Sequence, residues 1–357
     1  MQTQTNIMRT KVNDMVDLFV PLMAASKPTE IPSLMLWGPP GIGKSQGIKA
    51  VAEKLEIMSG KKVNTTDVRL LLFNPVDLRG IPVADANREL AKWLKPQIFQ
   101  MDESNKVINI LVLDEISAAP PSVQAAAYQM TLDRVVGEHK LPDNCFVMAA
   151  GNRVTDKSVA YKMPKALANR MTHIEIYAEV DDWKKWAIPR GIDERIIGYI
   201  NYRSSALFNF DPSSDDNAYP TPRSWEMVDK YLSKIKSIDD ALPLIAGSIG
   251  LGAATEFRSW TNVFHKLPDV DGIYKGTEKS IPEEPDVLYA LSAALSTRAA
   301  KANKTQLTNL LNYIYDIPAE FSTLIVKDIV VIEEVRNKIL AIPEWIKWSK
   351  KFGSFIM

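Results

Sequence analysis

The octet Gly38-Pro39-Pro40-Gly41-Ile42-Gly43-Lys44-Ser45 has the residue types and spacing of a phosphate-binding loop. Its glycines let backbone N–H groups approach an anion with no Cβ in the way. Lys44 is spaced to reach the β- and γ-phosphates of a nucleotide, and the Ser45 hydroxyl to ligate Mg²⁺. A helix beginning at Lys44 would aim its positive N-terminal end at the same anion. Further along, the apolar run 107–113 ends in Asp114-Glu115. There Asp114 would hold the Mg²⁺ shell, and Glu115 would orient and deprotonate an attacking water. A third apolar run, 146–150, ends in Gly151-Asn152-Arg153. The Asn152 amide both donates and accepts, so it can bridge that water and a γ-phosphate. Each stretch alone is also an ordinary polar or glycine turn. Their order in one chain favours nucleotide chemistry.

These groups need a sheet to align them. Leu34-Met35-Leu36-Trp37 before the loop reads as a buried strand, and Ile48, Val51, Ala52 and Leu55 after it recur at helical spacing. Strands are predicted over 33–37, 67–72, 108–113, 145–150 and 172–177, alternating with helical patterns, as in a parallel sheet covered on both faces. An amphipathic helix is predicted over 8–26. Beyond Ala178 strand character fades, and 181–203, 223–236, 239–265, 286–315 and 318–351 read as helical, with linkers at 209–222 and 266–284. The expected fold is α/β, a P-loop NTPase parallel sheet followed by an all-helical lid and a helical C-terminal extension. The corresponding domains are 1–178, 179–265 and 266–357.

Composition bounds the alternatives. The 357 residues are 46% hydrophobic and 24% charged, with formal net charge zero, so no global field pulls the chain toward nucleic acid or an anionic membrane. The single cysteine, Cys145, excludes an intrachain disulfide and lies in an apolar run. His139, His173 and His265 lack metal-ligand spacing. No apolar run reaches the length of a membrane span and no signal-peptide core is evident, so a cytoplasmic location is expected.

With the three motifs in this order, the chain resembles the AAA+ ATPases, most closely their MoxR-like (dynein-related) branch. Gly38–Ser45 matches Walker A, Asp114-Glu115 ends Walker B, and Asn152 takes the sensor 1 place. Asn74-Pro75-Val76-Asp77-Leu78-Arg79-Gly80, followed by Trp93-Leu94-Lys95-Pro96-Gln97-Ile98-Phe99, is similar to that branch's helix-2 β-hairpin insertion. Ser117-Ala118-Ala119-Pro120-Pro121-Ser122-Val123-Gln124 resembles its segment after Walker B, and 132–138 the strand entering a pre-sensor-1 hairpin. The resemblance covers about 30–235, and the residues beyond about 266 are not part of it.

This resemblance implies further roles. Nucleotide contacts are expected from Gly38, Pro39, Pro40, Gly41, Ile42, Gly43, Lys44, Ser45 and Gln46, with Asp114, Asn152 and Arg223. The metal ligands expected are Ser45 and Asp114, and the cofactors are ATP and Mg²⁺. Arg170, in Ala168-Asn169-Arg170-Met171, matches the place of an arginine finger acting in a neighbouring subunit. The family usually has Asp-Arg-Phe there, and Arg153 and Arg134 are rival candidates. Arg223, opening a helix after Pro220-Thr221-Pro222, matches sensor 2. The implied activity is ATP hydrolysis, with Glu115, Lys44, Asn152, Arg170 and Arg223 as the catalytic set. The implied assembly is a homo-oligomeric, hexameric ring in a chaperone-like role on a protein client, of which one carrying a von Willebrand factor A domain is typical. Two alternatives stay open: a nucleic-acid-dependent motor or loader, and a GTPase related to restriction motor subunits. For the first, the tail Trp345-Ile346-Lys347-Trp348-Ser349-Lys350-Lys351-Phe352 interleaves aromatic and basic residues as a stacking surface would, or else docks its aromatics on a core. The second lacks an Asn-Lys-x-Asp motif.

Overall fold

A computed structural model describes residues 7–156, 161 and 163–355. The chain divides into two compact units, Met1–Tyr177 with Pro212–Ser214, and Ala178–Asp211 with Asp215–Met357.

The first unit begins with β1 (Arg9–Thr10), α1 (Val12–Ala25), β2 (Ser33–Trp37), α2 (Lys44–Ser59) and β3 (Lys62–Arg69). Next come α3 (Pro75–Arg79), β4 (Ile81–Ala84), β5 (Ala91–Leu94), β6 (Val107–Asp114) and α4 (Pro121–Leu132). It ends with β7 (Val135–Val136), β8 (His139–Lys140), β9 (Cys145–Gly151), α5 (Lys165–Ala168) and β10 (Met171–Ile176). Six strands form one sheet in the order β1-β10-β2-β9-β6-β3, and every pairing in it is parallel. Strands buried on both faces need unbroken apolar runs. β9 is buried throughout, and β6 until Asp114.

The expected α/β sheet is therefore present, with differences at its edges. β3 starts at Lys62, five polar-rich residues before the predicted strand, because it pairs on one side only, with β6, and leaves outward side chains in solvent. The apolar triplet Leu70–Leu72, read as its end, is a single 3₁₀ turn. The N-terminal helix starts at Val12 rather than residue 8, because the preceding backbone is recruited to the sheet: Glu175 N–H donates to Met8 O and Tyr177 N–H to Thr10 O. β4 and β5 make an antiparallel hairpin directly after α3, and β7 and β8 a shorter one after α4. One core packs the α4 residues Val123, Ala126, Ala127 and Met130 with Met35, Leu111, Leu113 and Val147 of the sheet.

The described residues of the second unit contain no strand. Its helices are α6 (Val180–Ala187), α7 (Glu194–Tyr202), α8 (Pro222–Leu232), α9 (Ile238–Ile249) and α10 (Leu251–Thr261). They continue with α11 (Val270–Lys275), α12 (Pro285–Ala299), α13 (Lys304–Asp316), α14 (Ala319–Ile329), α15 (Glu333–Leu340) and α16 (Pro343–Phe352). Aromatic side chains anchor one core: Tyr199 packs on Trp225, Phe257 and Trp260. A second core gathers around Leu307, Ile325 and Trp348. α12 supplies both, giving Ala290 and Ala293 to the first and Leu288, Leu291 and Leu295 to the second. Trp348 is fully buried, its Nε1 donating to Ser322 Oγ at 2.8 Å, while Lys347 and Lys351 lie over the Tyr315 ring. The tail is thus a docked helix with its lysines outward.

Candidate functional site

Parallel strands deliver their C-terminal ends to one edge of a sheet, where ligands of such folds bind. Here β2, β9 and β6 are neighbours, and each releases one of the predicted motifs at that edge. After β2 the loop 38–43 turns into α2, whose N-terminal residue is Lys44. Gly38 is needed for a steric reason. A Cβ there would lie 2.4 Å from Ile42 Cδ1 and 2.8 Å from Ile176 O, and its φ is +153°. The loop is anchored to the next strand by Gly38 N–H donating to Gly151 O at 3.3 Å.

Lys44 connects two of the motifs. Its Nζ donates to Gly38 O at 2.5 Å, to Pro39 O at 3.0 Å and to Asn152 Oδ1 at 2.9 Å. The ammonium therefore sits at the mouth of the loop, on the amide that follows β9. Ser45 connects the third: its Oγ donates to Asp114 Oδ2 at 3.4 Å. A hydroxyl and a carboxylate oxygen at that separation are hard oxygen donors of the kind Mg²⁺ takes alongside substrate phosphates. With the Lys44 ammonium at the loop mouth, they fit an Mg²⁺-nucleotide that Ser45, Asp114 and the loop would hold. Gln46 is exposed on the first turn of α2, while Pro39, Gly41 and Ile42 are buried and Pro40 half-buried.

Glu115 is exposed and has φ +56°, one of three described non-glycine residues in that region. A left-handed conformation costs a non-glycine residue on the order of 1–2 kcal/mol, and such strain gathers at functional turns. The turn is pinned on both sides: Glu115 N–H donates to Asp114 Oδ1 at 2.9 Å, and Ile116 N–H to Ala150 O at 3.1 Å. Asp114's charge is felt on the next strand, where partial burial and Asp114 together hold the Asp67 carboxyl above the ordinary aspartate range.

The candidate arginines separate into two kinds. Arg134 is committed to its own unit, donating to Pro28 O, Pro142 O and Cys145 O. Arg153 is committed as well, to Glu175 Oε1 at 2.7 Å and Asp156 Oδ1 at 3.2 Å. Arg170, two residues beyond α5, is exposed and makes no side-chain hydrogen bond or ion pair with the described residues. Arg223 in the second unit is likewise exposed, at the second position of α8 behind a Thr221/Ser224 capping box.

Several contributors carried no sequence signal. Ser117, buried behind Walker B, accepts from Asn152 N–H at 3.0 Å and fixes the amide's backbone. His173 on β10 accepts from Trp37 Nε1 at 2.8 Å, so its other nitrogen carries the proton and donates to Ala168 O at 2.6 Å, at the start of the Arg170 turn. Glu175, in the same strand, holds Arg153. Only contacts between strands distant in sequence reveal them.

Residues 33–173, the stretch that builds this edge, match the family model described as "ATPase family associated with various cellular activities (AAA)". Replication factor C subunit 5 of Arabidopsis thaliana is 34% identical over 97 residues, which are 27% of this chain and 24% of that protein. The match thus spans about a quarter of that relative's length. Similar solved structures include a putative ATPase from Cytophaga hutchinsonii, at 15% identity and TM-score 0.34 over 92% of both chains. Another is a point mutant of Thermotoga maritima RuvB, at 15% identity and TM-score 0.35 over 84% of this chain and 90% of that one. At such scores neither adds to the argument. Within the matched stretch, the glycine loop with Lys44 and Ser45, the carboxylates of Asp114 and Glu115, and the Asn152 amide fall on one sheet edge. Among the described residues no cluster of three or more His, Cys, Asp or Glu side chains could hold a metal, and no helix is long and apolar enough to cross a membrane.

Proposed function

We propose that the chain is a ring-forming ATPase of the MoxR-like branch of AAA+ proteins, which uses ATP hydrolysis to remodel or mature a protein partner. The observation that carries the reading is the Lys44 Nζ to Asn152 Oδ1 contact beside the Ser45–Asp114 pair, which brings an ammonium, a side-chain amide and a hydroxyl–carboxylate pair to one loop mouth. In the proposed reaction Lys44 and the loop N–H groups bind the β- and γ-phosphates. Ser45 and Asp114 would hold Mg²⁺, which when bound would neutralise phosphate charge. Glu115 accepts the proton of the attacking water, and Asn152 orients that water against the γ-phosphate. Arg170 enters the neighbouring subunit's site, and Arg223 contacts phosphate as sensor 2. The exposure of both arginines supports these roles, and the internal commitments of Arg134 and Arg153 argue against them as fingers.

The β4–β5 hairpin favours the remodelling branch. β4–β5 carries exposed Ile81, Val83 and Leu94, with Leu90 in its turn, an apolar display suited to a protein client. The relative named a replication factor favours a second reading, a nucleic-acid-dependent motor or loader. The docked tail removes one stacking surface from that reading. ATPase stimulation by DNA or RNA that fades with added salt would favour it.

The test of assembly is the solution mass of Glu115→Gln with and without ATP·Mg²⁺. A shift to about six subunits with nucleotide is expected, since a finger acting in trans requires a closed ring. A monomer in both conditions, with ATP bound, would contradict the ring.

A further inference from the structure

Asn152 is useful only if its amide is held still, because a sensing group that drifts by about 1 Å loses much of its contribution. Its main chain leaves β9 into a single 3₁₀ turn, Val154–Asp156. Ser117 Oγ holds the Asn152 N–H, and the turn beyond it is braced by the next residue. Arg153 N–H donates to Asp156 Oδ2 at 2.8 Å and Asp156 N–H returns to Arg153 O at 3.0 Å, closing the turn on itself. The Arg153 guanidinium then ties that turn to the sheet, reaching Asp156 Oδ1 at 3.2 Å and Glu175 Oε1 at 2.7 Å.

Glu175 is 2% exposed and Asp156 5% exposed, so these are buried carboxylates. A second arginine, Arg9 of β1, meets the same Glu175 oxygen at 3.0 Å. Both buried carboxylates thus face arginine, which offsets the cost of taking their charge out of water. Charge-assisted bonds from a planar guanidinium fix direction as well as distance. Glu175 is paired in register with Trp37, the residue before the phosphate loop, and with Arg9. The clamp therefore refers the sensor turn to the same strands that position the loop.

We propose that Glu175 is a positioning residue for ATP hydrolysis, acting through Arg153 to hold the Asn152 amide where it meets the water and γ-phosphate. Glu175 touches no reacting atom; its effect is on the turnover step and not on nucleotide affinity. The inference rests on the role of Asn152 proposed above, and the experiment separates the two.

The experiment measures kcat, KM for ATP and the affinity of a non-hydrolysable ATP analogue for Asn152→Ala, Glu175→Gln and the double variant in the full chain. Asn152→Ala is expected to lower kcat by about tenfold or more, the usual range for losing one positioned polar group. Glu175→Gln should lower kcat by about fivefold to tenfold with KM and analogue affinity within about twofold, and should add no further loss in the Asn152→Ala background. An equal loss in both backgrounds, an unchanged kcat, or a loss of affinity instead of turnover would overturn the clamp while leaving the role of Asn152 intact. An Asn152→Ala variant with unchanged kcat would instead remove the sensing role, and the clamp with it. Should Glu175→Gln fail to fold by circular dichroism, Arg153→Lys is read in the same cycle. It keeps the positive charge beside Glu175 but not the two-pronged geometry, and the same non-additivity with Asn152→Ala is expected.

Discussion

Lys44 and Lys184 are both drawn in from solvent, one at the nucleotide edge of the first unit and one inside the helical unit. Lys44 is half-buried, and its ammonium bonds include two loop carbonyls and an amide oxygen, neutral groups that a phosphate can replace. Lys184 on α6 is 3% exposed and bonds Asp328 of α14 at 2.7 Å and Asp181 at 3.1 Å. Burial alone would lower its pKa, but the two carboxylates outweigh burial and hold it above the ordinary lysine value. The first lysine is the one proposed to meet a ligand, and the second joins two helices. The difference teaches where to expect function to fail without unfolding, and where unfolding comes first.

The contrast is broken most severely at the loop. Lys44→Ala should abolish nucleotide binding and turnover, with the thermal midpoint of the apo protein moving by no more than a few degrees. Calorimetric titration with an ATP analogue and a melt of the same sample check both halves. At the helical unit the pattern should reverse. Lys184→Met leaves the Asp328 carboxylate buried without its cation, at a cost of about 3–5 kcal/mol in urea unfolding of the second unit. The double change Lys184→Met/Asp328→Leu should recover most of that, which would mark the pair as structural.

Arg170 and Arg153 sharpen the comparison within the first unit. Arg170→Ala is expected to lower kcat by about 10³-fold with little change in stability, in line with the range for arginine fingers. Activity should partly return on mixing it with Lys44→Ala subunits, because each variant supplies what the other lacks; mixed-subunit turnover checks this. Arg153→Ala should instead destabilise the fold, and mixing should not rescue it. The smallest effect concerns Cys145, whose thiol burial pushes up to about 11. It should stay unmodified by maleimide at about pH 8 in the native protein and react once unfolded, as a mass spectrum would show.

What is legible in the sequence follows the same division. Motifs whose chemistry is local, such as the glycine loop with Lys44 and Ser45 or the carboxylates ending β6, are written in consecutive residues and stand together on the edge. The buried strands are legible because β6 and β9 are apolar almost throughout. The edge is not: β3 is half polar because one side of it has no partner strand, and the two residues of β1 give no periodicity at all. Least legible are residues that act across strands. Nothing in the string pairs Arg153 with Glu175, Asn152 with Ser117, or Lys184 with Asp328, since each partnership exists only after the sheet or bundle has formed. Arg153 accordingly reads as a rival finger until its carboxylate partners are in view.

The central claim is that the loop mouth hydrolyses ATP with Glu115 as base. Its most direct test is steady-state phosphate release by the wild-type protein and by Glu115→Gln, with bound nucleotide quantified in parallel. Turnover by the wild type, with Glu115→Gln binding ATP normally and hydrolysing it at least about 100-fold more slowly, is the predicted result. A wild type that binds ATP but never releases phosphate, or a Glu115→Gln variant as fast as the wild type, would contradict it.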